Sequence, residues 1–187
     1  MNGRILHLVG TPSAMPPQRP VAPLAFISYR SSDEPWAAIS LRNALAARFG
    51  TQAIFIDAAS VDPGEDFRPA LLRAVVRSSA LLVVIGRHWL APSSSGHRPL
   101  DDETDWVRTE IALALFTCVP VLPVLVGDAE PPQAHQLPED LKPLAYHQHI
   151  RLHPRDSDRD LQWIADRLEQ LTVDVPTAPR IRVRTKQ

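Results

Sequence analysis

The sequence predicts an α/β fold, a three-layer sandwich built on a five-stranded parallel sheet. Three observations carry that prediction. Apolar runs of strand length alternate five times with segments of helical spacing along the chain. One of them, Ala80-Leu81-Leu82-Val83-Val84-Ile85, is apolar without a break, as expected of a strand covered on both faces. Parallel strands joined through helices need right-handed crossovers, which lay helices on both sides of the sheet.

Residues 1–22 read as a flexible leader rich in proline (Pro12, Pro16, Pro17, Pro20), with a domain from 23 to 171 and a basic, flexible tail over 172–187. The first strand is Leu24 to Tyr29. Ser31, Ser32 and Asp33 offer capping side chains, and Pro35 suits the first turn of a helix carrying Ala38, Leu41, Leu45 and Phe49, ended by Gly50. Ala53 to Asp57 is the second strand. A loop from Ala58 to Glu65, turning at Pro63-Gly64, leads to a helix with Leu71, Leu72, Val75 and Val76. Ala80 to Ile85 is the third strand, and Pro92 to Pro99 a loop. Asp101, Asp102, Glu103 and Asp105 then precede the next helix, where they complement its positive end. Val121 to Val126 is the fourth strand, despite prolines at 120 and 123 that each lack a ladder donor. A short helical piece near Pro138 to Leu144, a brief strand His149 to Leu152 and a last helix from Asp158 to Leu171 complete the domain.

Composition narrows the function. At 187 residues the chain suits one ordinary domain, and 22% charged with 44% hydrophobic residues is the balance of a soluble globular protein. A net charge of −1 argues against nucleic acid and anionic membranes as partners. No apolar run approaches the roughly 20 residues that span a bilayer. The apolar core at Ile5 to Val9 is too short for a secretory signal, so a cytoplasmic location is expected. The single cysteine, Cys118, lies in an apolar stretch and reads as a buried packing thiol.

Several familiar chemistries are unsupported. There is no G-x-G-x-x-G after the first strand, no G-x-x-x-x-G-K-[ST] and no G-x-S-x-G. His147, His149 and His153 have the spacing of a metal site but lack a nearby Cys or acidic fourth ligand, so no metal is expected. A phosphoreceiver would need acids where Tyr29-Arg30 and Gly86-Arg87 stand.

The run Asp105-Trp106-Val107-Arg108-Thr109-Glu110-Ile111 is the most informative stretch. Trp106 and Glu110, four apart, project from nearly one side of a helix. The apolar stripe is Val107, Ile111, Ala114 and Leu115, which puts Glu110 beside the buried face. A carboxylate next to an indole there can stack a planar ring and steady a developing positive charge. Alone, the pair also reads as an ordinary surface helix. Ligands of parallel sheets gather at the carboxyl ends of the strands, which here would collect Tyr29-Arg30, Asp57, Gly86-Arg87 and the start of the Trp106 helix.

Taken in order, Phe26-Ile27-Ser28-Tyr29-Arg30, Phe55-Ile56-Asp57, Pro63-Gly64-Glu65-Asp66-Phe67, Leu81 to Gly86, Asp105 to Glu110 and Leu137-Pro138-Glu139-Asp140-Leu141 resemble a TIR domain of the bacterial branch over about residues 23 to 171. The chain also resembles NAD+-cleaving animal TIR domains, sharing D-W-V-x-x-E and L-P-E-D. The resemblance implies a flavodoxin-like TIR fold and cleavage of the nicotinamide–ribose bond of NAD+, a substrate rather than a cofactor, with Glu110 as the catalytic carboxylate. It implies a substrate site made by Arg30, Ser31, Phe67 and Trp106. Trp106 would wall the nicotinamide–ribose pocket; its other reading is a cap on the core. Arg30 would meet the pyrophosphate; its other reading is an arginine paired with Asp33 or Asp57. Phe67 would line the cleft or staple its own helix.

Two departures bear on affinity. The Ala58 to Asp66 loop lacks a lysine carried by some active relatives, and Ser31 replaces a second basic residue. The resemblance further implies self-association through TIR surfaces, activity as a defence effector, and a separate sensor protein. It equally admits a non-catalytic interaction module using the Ala58 to Asp66 loop. A third reading is an N-glycosidic enzyme acting on nucleosides or nucleotides.

Overall fold

The structure, a computed structural model, describes residues 24–56, 67–93 and 96–173. Within them the strands β1 (Ala25–Ser28), β2 (Ile54–Ile56), β3 (Ala80–Ile85), β4 (Val121–Val126) and β5 (Ile150–Leu152) form one sheet in the order β2-β1-β3-β4-β5. Every pairing is parallel. The four helices are α1 (Pro35–Phe49), α2 (Phe67–Arg77), α3 (Trp106–Phe116) and α4 (Ser157–Val173). The expected α/β sandwich is therefore present, with each strand equal to its apolar run or one or two residues shorter.

Alternation along the strands divides the core in two. Ala25, Ile27, Leu82, Val84, Val124 and Ile150 point to the layer of α1 and α4. Phe26, Leu81, Val83, Ile85 and Leu125 point to the layer of α2, α3 and a 3₁₀ segment, Glu139–Tyr146. All six residues of β3 are buried because both layers cover it, which is why its sequence shows no polar alternation. Phe26 stacks on Phe55 of the neighbouring strand at 5.2 Å between ring centroids.

Pro123 sits inside β4, opposite Val83. β5 begins its pairing only at Val124, so at Pro123 the strand has a neighbour on one side alone. In a parallel ladder alternate residues send their N–H to alternate neighbours, and the missing donor is tolerated where one neighbour is absent.

Three expectations are corrected. Ser31, Ser32 and Asp33 do not cap α1: the N-cap is Glu34, in the left-handed region at φ 55°, with no side-chain cap. Cys118 is exposed, not buried, and it too is left-handed at φ 58°. Val76 faces outward at 45% exposure, its helix burying Leu71, Ala74 and Val75 instead. The last helix runs two residues past its expected end, to Val173; the Pro63-Gly64 turn, the leader and residues 174–187 lie outside the described residues.

Candidate functional site

The order β2-β1-β3 places a switch point beside β1, because the chain leaves β1 toward one edge and returns on its other side as β3. The residues that follow β1 emerge at the carboxyl edge there. Facing them are a 3₁₀ turn, Pro99–Asp101, and the first turn of α3. Between the two lies a cleft of about 380 Å³ lined by Tyr29, Arg30, Ser31, Ser32, Pro99, Asp102, Thr104, Asp105, Trp106 and Val107. That size admits a nicotinamide riboside but not a whole dinucleotide without further walls.

Hydrogen bonds fix both sides of this cleft. Asp105 is the N-cap of α3, its Oδ2 accepting the Arg108 backbone N–H at 3.0 Å. The same carboxylate receives Arg30 in a two-pronged pair, Nη1 to Oδ1 at 2.9 Å and Nη2 to Oδ2 at 2.8 Å. Both side chains are mostly buried, 10% and 13% exposed. Arg108 extends the clamp, donating through Nε to Asp140 at 3.0 Å and through Nη1 to the Asp101 carbonyl at 3.1 Å. Asp140 belongs to the Leu137-Pro138-Glu139-Asp140-Leu141 motif, so that motif braces α3 from outside.

Asp33 holds the other wall. Only 1% exposed, it accepts the backbone N–H of Gly86 at 2.9 Å and of His88 at 3.0 Å, tying the segment after β1 to the segment after β3. Gly86 is required at this contact. A Cβ built there would lie 2.4 Å from Asp33 Oδ1.

The charge of the cleft follows from these pairs. Arg30 is neutralised by Asp105, while Asp102 remains an exposed carboxylate. Hydrogen bonds from the hydroxyl and then the backbone N–H of Thr104 hold its carboxyl below the usual aspartate range. Among the described lining residues no unpaired cation remains, and the surface suits a positively charged group better than a phosphate.

The residues singled out in the sequence are brought together in part. Trp106 is half-buried, lines the cleft, and packs on the core layer of α3. Ser31 is exposed on the opposite wall. Arg30 is at the cleft and is engaged by Asp105, while Asp33 binds backbone N–H groups; Asp57 lies outside the described residues. Glu110 lies one turn beyond Trp106, 5% exposed, and adds no surface to the cleft as described. Phe67 begins α2; its side chain, like the Ala58 to Asp66 loop, lies outside what is described.

Asp105 and Asp33 were the residues that spacing did not single out. The acid that opens D-W-V-x-x-E reads as a dipole partner, and nothing in the chain announces that an arginine 75 positions earlier will find it. The three histidines diverge: the His147 ring bonds to the Pro143 carbonyl and His153 Nδ1 to Asp160. Among the described residues no group of three or more His, Cys, Asp or Glu could hold a metal. Nor is any described helix long and apolar enough to cross a membrane.

Comparison with known proteins places these features in a family. A model of the TIR domain matches residues 25–162. The protein sarm1 of Drosophila melanogaster, named an NAD(+) hydrolase, is 30% identical over 123 residues, covering 65% of this chain and 8% of that protein. The chain thus spans a small part of that relative's length. Among solved structures, the TIR domains of the activated Roq1 resistosome superpose with a TM-score of 0.58 at 18% identity, over 77% of this chain and 98% of that one. The TIR domain of the Toll-related receptor TRR-2 from Hydra magnipapillata gives 0.48 at 18% identity, over 79% and 97%.

Proposed function

This chain belongs to the TIR-domain family, and on that footing we propose that it is an NAD+ hydrolase releasing nicotinamide and leaving ADP-ribose or a cyclic isomer. The observation that carries the proposal is the placement of Trp106 at the cleft with Glu110 one turn behind it on α3. Similarity to a protein named an NAD(+) hydrolase supports it.

Nicotinamide leaves as a neutral base from a cationic ring, so no strong general acid is needed. What the protein must supply is negative potential beside the anomeric carbon as an oxocarbenium-like ribose develops. A carboxylate as withdrawn from water as Glu110 interacts more strongly with such a cation than an exposed one. The substrate must reach it past the Trp106 indole, against which the nicotinamide ring stacks. The anionic, phosphate-averse character of the described lining matches the cationic end of NAD+. Ser31 on the facing wall meets the ribose hydroxyls, and Phe67 remains a candidate for the same pocket by family resemblance. We place the pyrophosphate outside this cleft, toward a wall supplied by a neighbouring copy of the chain.

In this reading the protein is a cytoplasmic effector of a bacterial defence system, activated by self-assembly and by a separate sensor. A non-catalytic interaction module is favoured instead by one feature: Phe116 and Tyr146 are 86% and 80% exposed.

The test is NAD+ consumption by concentrated protein, with nicotinamide followed by chromatography and nucleosides offered in parallel. The expected result is nicotinamide from NAD+ and none with Glu110→Gln. NAD+ left intact by the assembled wild type supports the interaction module, and preference for nucleosides supports a different N-glycosidic enzyme.

A further inference from the structure

We propose that Arg30 is a positioning residue which acts through Asp105 to hold the first turn of α3 against the end of β1, and does not bind the phosphates of the substrate. The inference rests on the NAD+-cleaving reading for its kinetic arm only. The geometry is that of a latch. Both terminal nitrogens of the guanidinium are spent on one carboxylate at 2.8 and 2.9 Å. Of its five N–H groups two are used in this pair, Nε is buried with no hydrogen-bond partner, and the side chain is only 10% exposed, which leaves little of the guanidinium open to a phosphate. The carboxylate in turn caps the helix on which the indole of Trp106 and the carboxylate of Glu110 stand.

Such a fork-to-carboxylate pair fixes orientation as well as distance. Its members lie 75 residues apart, so it is a direct polar bond between the segment after the strand and the helix start. Release of either partner leaves the other charge in a poorly solvated place and loosens the turn carrying Trp106. A phosphate-binding arginine behaves otherwise: its loss weakens substrate binding, and loss of its carboxylate partner frees it to bind better.

Three variants separate the two roles. Arg30→Met removes the cation, Arg30→Lys keeps charge without the two-pronged geometry, and Asp105→Asn keeps a good N-cap while removing the partner. The latch predicts that Arg30→Met and Asp105→Asn each lower kcat at least tenfold with KM for NAD+ changed less than about threefold. It predicts that the double variant is no worse than either single one, since both break the same bond. It also predicts that Asp105→Asn shifts the Trp106 indole N–H resonance and speeds amide exchange over residues 106–109 about tenfold. This spectroscopic arm needs no turnover, so it stands even if NAD+ proves not to be the substrate. A tenfold rise in KM at constant kcat in Arg30→Met, additive effects in the double variant, or an unmoved indole resonance in the milder Asp105→Asn and Arg30→Lys would each overturn the proposal.

Discussion

Glu110 is a costly residue to place where it lies. A carboxylate 5% exposed on an otherwise apolar helix face gives up most of its hydration. Asp33 and Asp160 are the other buried acids among the described residues. Asp33 gathers two backbone N–H groups, and Gly86 leaves room for it. Gly86→Ala is expected to destabilise the domain by about 1–3 kcal/mol through overpacking, measurable by denaturant titration. Asp160 is the clearest pH-sensitive group. Burial alone would push its carboxyl up, but hydrogen bonds from the backbone N–H and ring of His153, with the charges of His153 and Arg159, bring it below the ordinary range. A depressed folded-state pKa adds stability above the unfolded value and loses it as pH falls through the folded one. Asp160→Asn should therefore flatten the acid limb of the stability profile below roughly pH 4, and leave the slope near pH 7 unchanged.

At the scale of elements, helix ends were the hardest to read from sequence. Apolar spacing placed all four helices and five strands, because burial on one or two faces writes a period into the chain. A left-handed cap writes nothing unless the residue is glycine. Gly50 ended α1 as expected, its N–H donating to the Ala46 carbonyl. Cys118 does the same work for α3: the Val119 N–H reaches the Ala114 carbonyl and the Cys118 N–H the Leu115 carbonyl. With φ at 58°, a side chain there is strained, and the exposed thiol that results looks in sequence like one more apolar core residue. Cys118→Gly is expected to stabilise the protein by about 0.5–1 kcal/mol, raising Tm by roughly 1–4 °C in calorimetry. The start of α1 failed for the mirror reason: Asp33 has the chemistry of a cap but is drawn inward to Gly86 and His88.

Over the whole molecule, the sheet order decides where chemistry can occur. Strand spacing and the six ordered motifs made the family legible, and the switch point followed from the fold. The Arg30–Asp105 pair did not, since a contact between residues 75 apart depends on how two crossovers return to one edge. Nor was the outer face of α3 foreseen. There a groove of about 550 Å³ runs along Leu113 and Phe116 beside Glu139 and Asp140. An aromatic ring 86% exposed is an unusual expense for an isolated domain and fits a surface that meets another copy. Phe116→Glu is expected to leave folding stability within about 0.5 kcal/mol while weakening self-association in sedimentation velocity.

The central claim is that one withdrawn carboxylate steadies a ribosyl cation, and the rate of nicotinamide release measures it most directly. With wild type and Glu110→Gln at equal concentration and matched melting temperature, the account predicts a loss of at least about 100-fold in kcat, the scale of removing one aimed electrostatic group. A variant that releases nicotinamide as fast as wild type would contradict it.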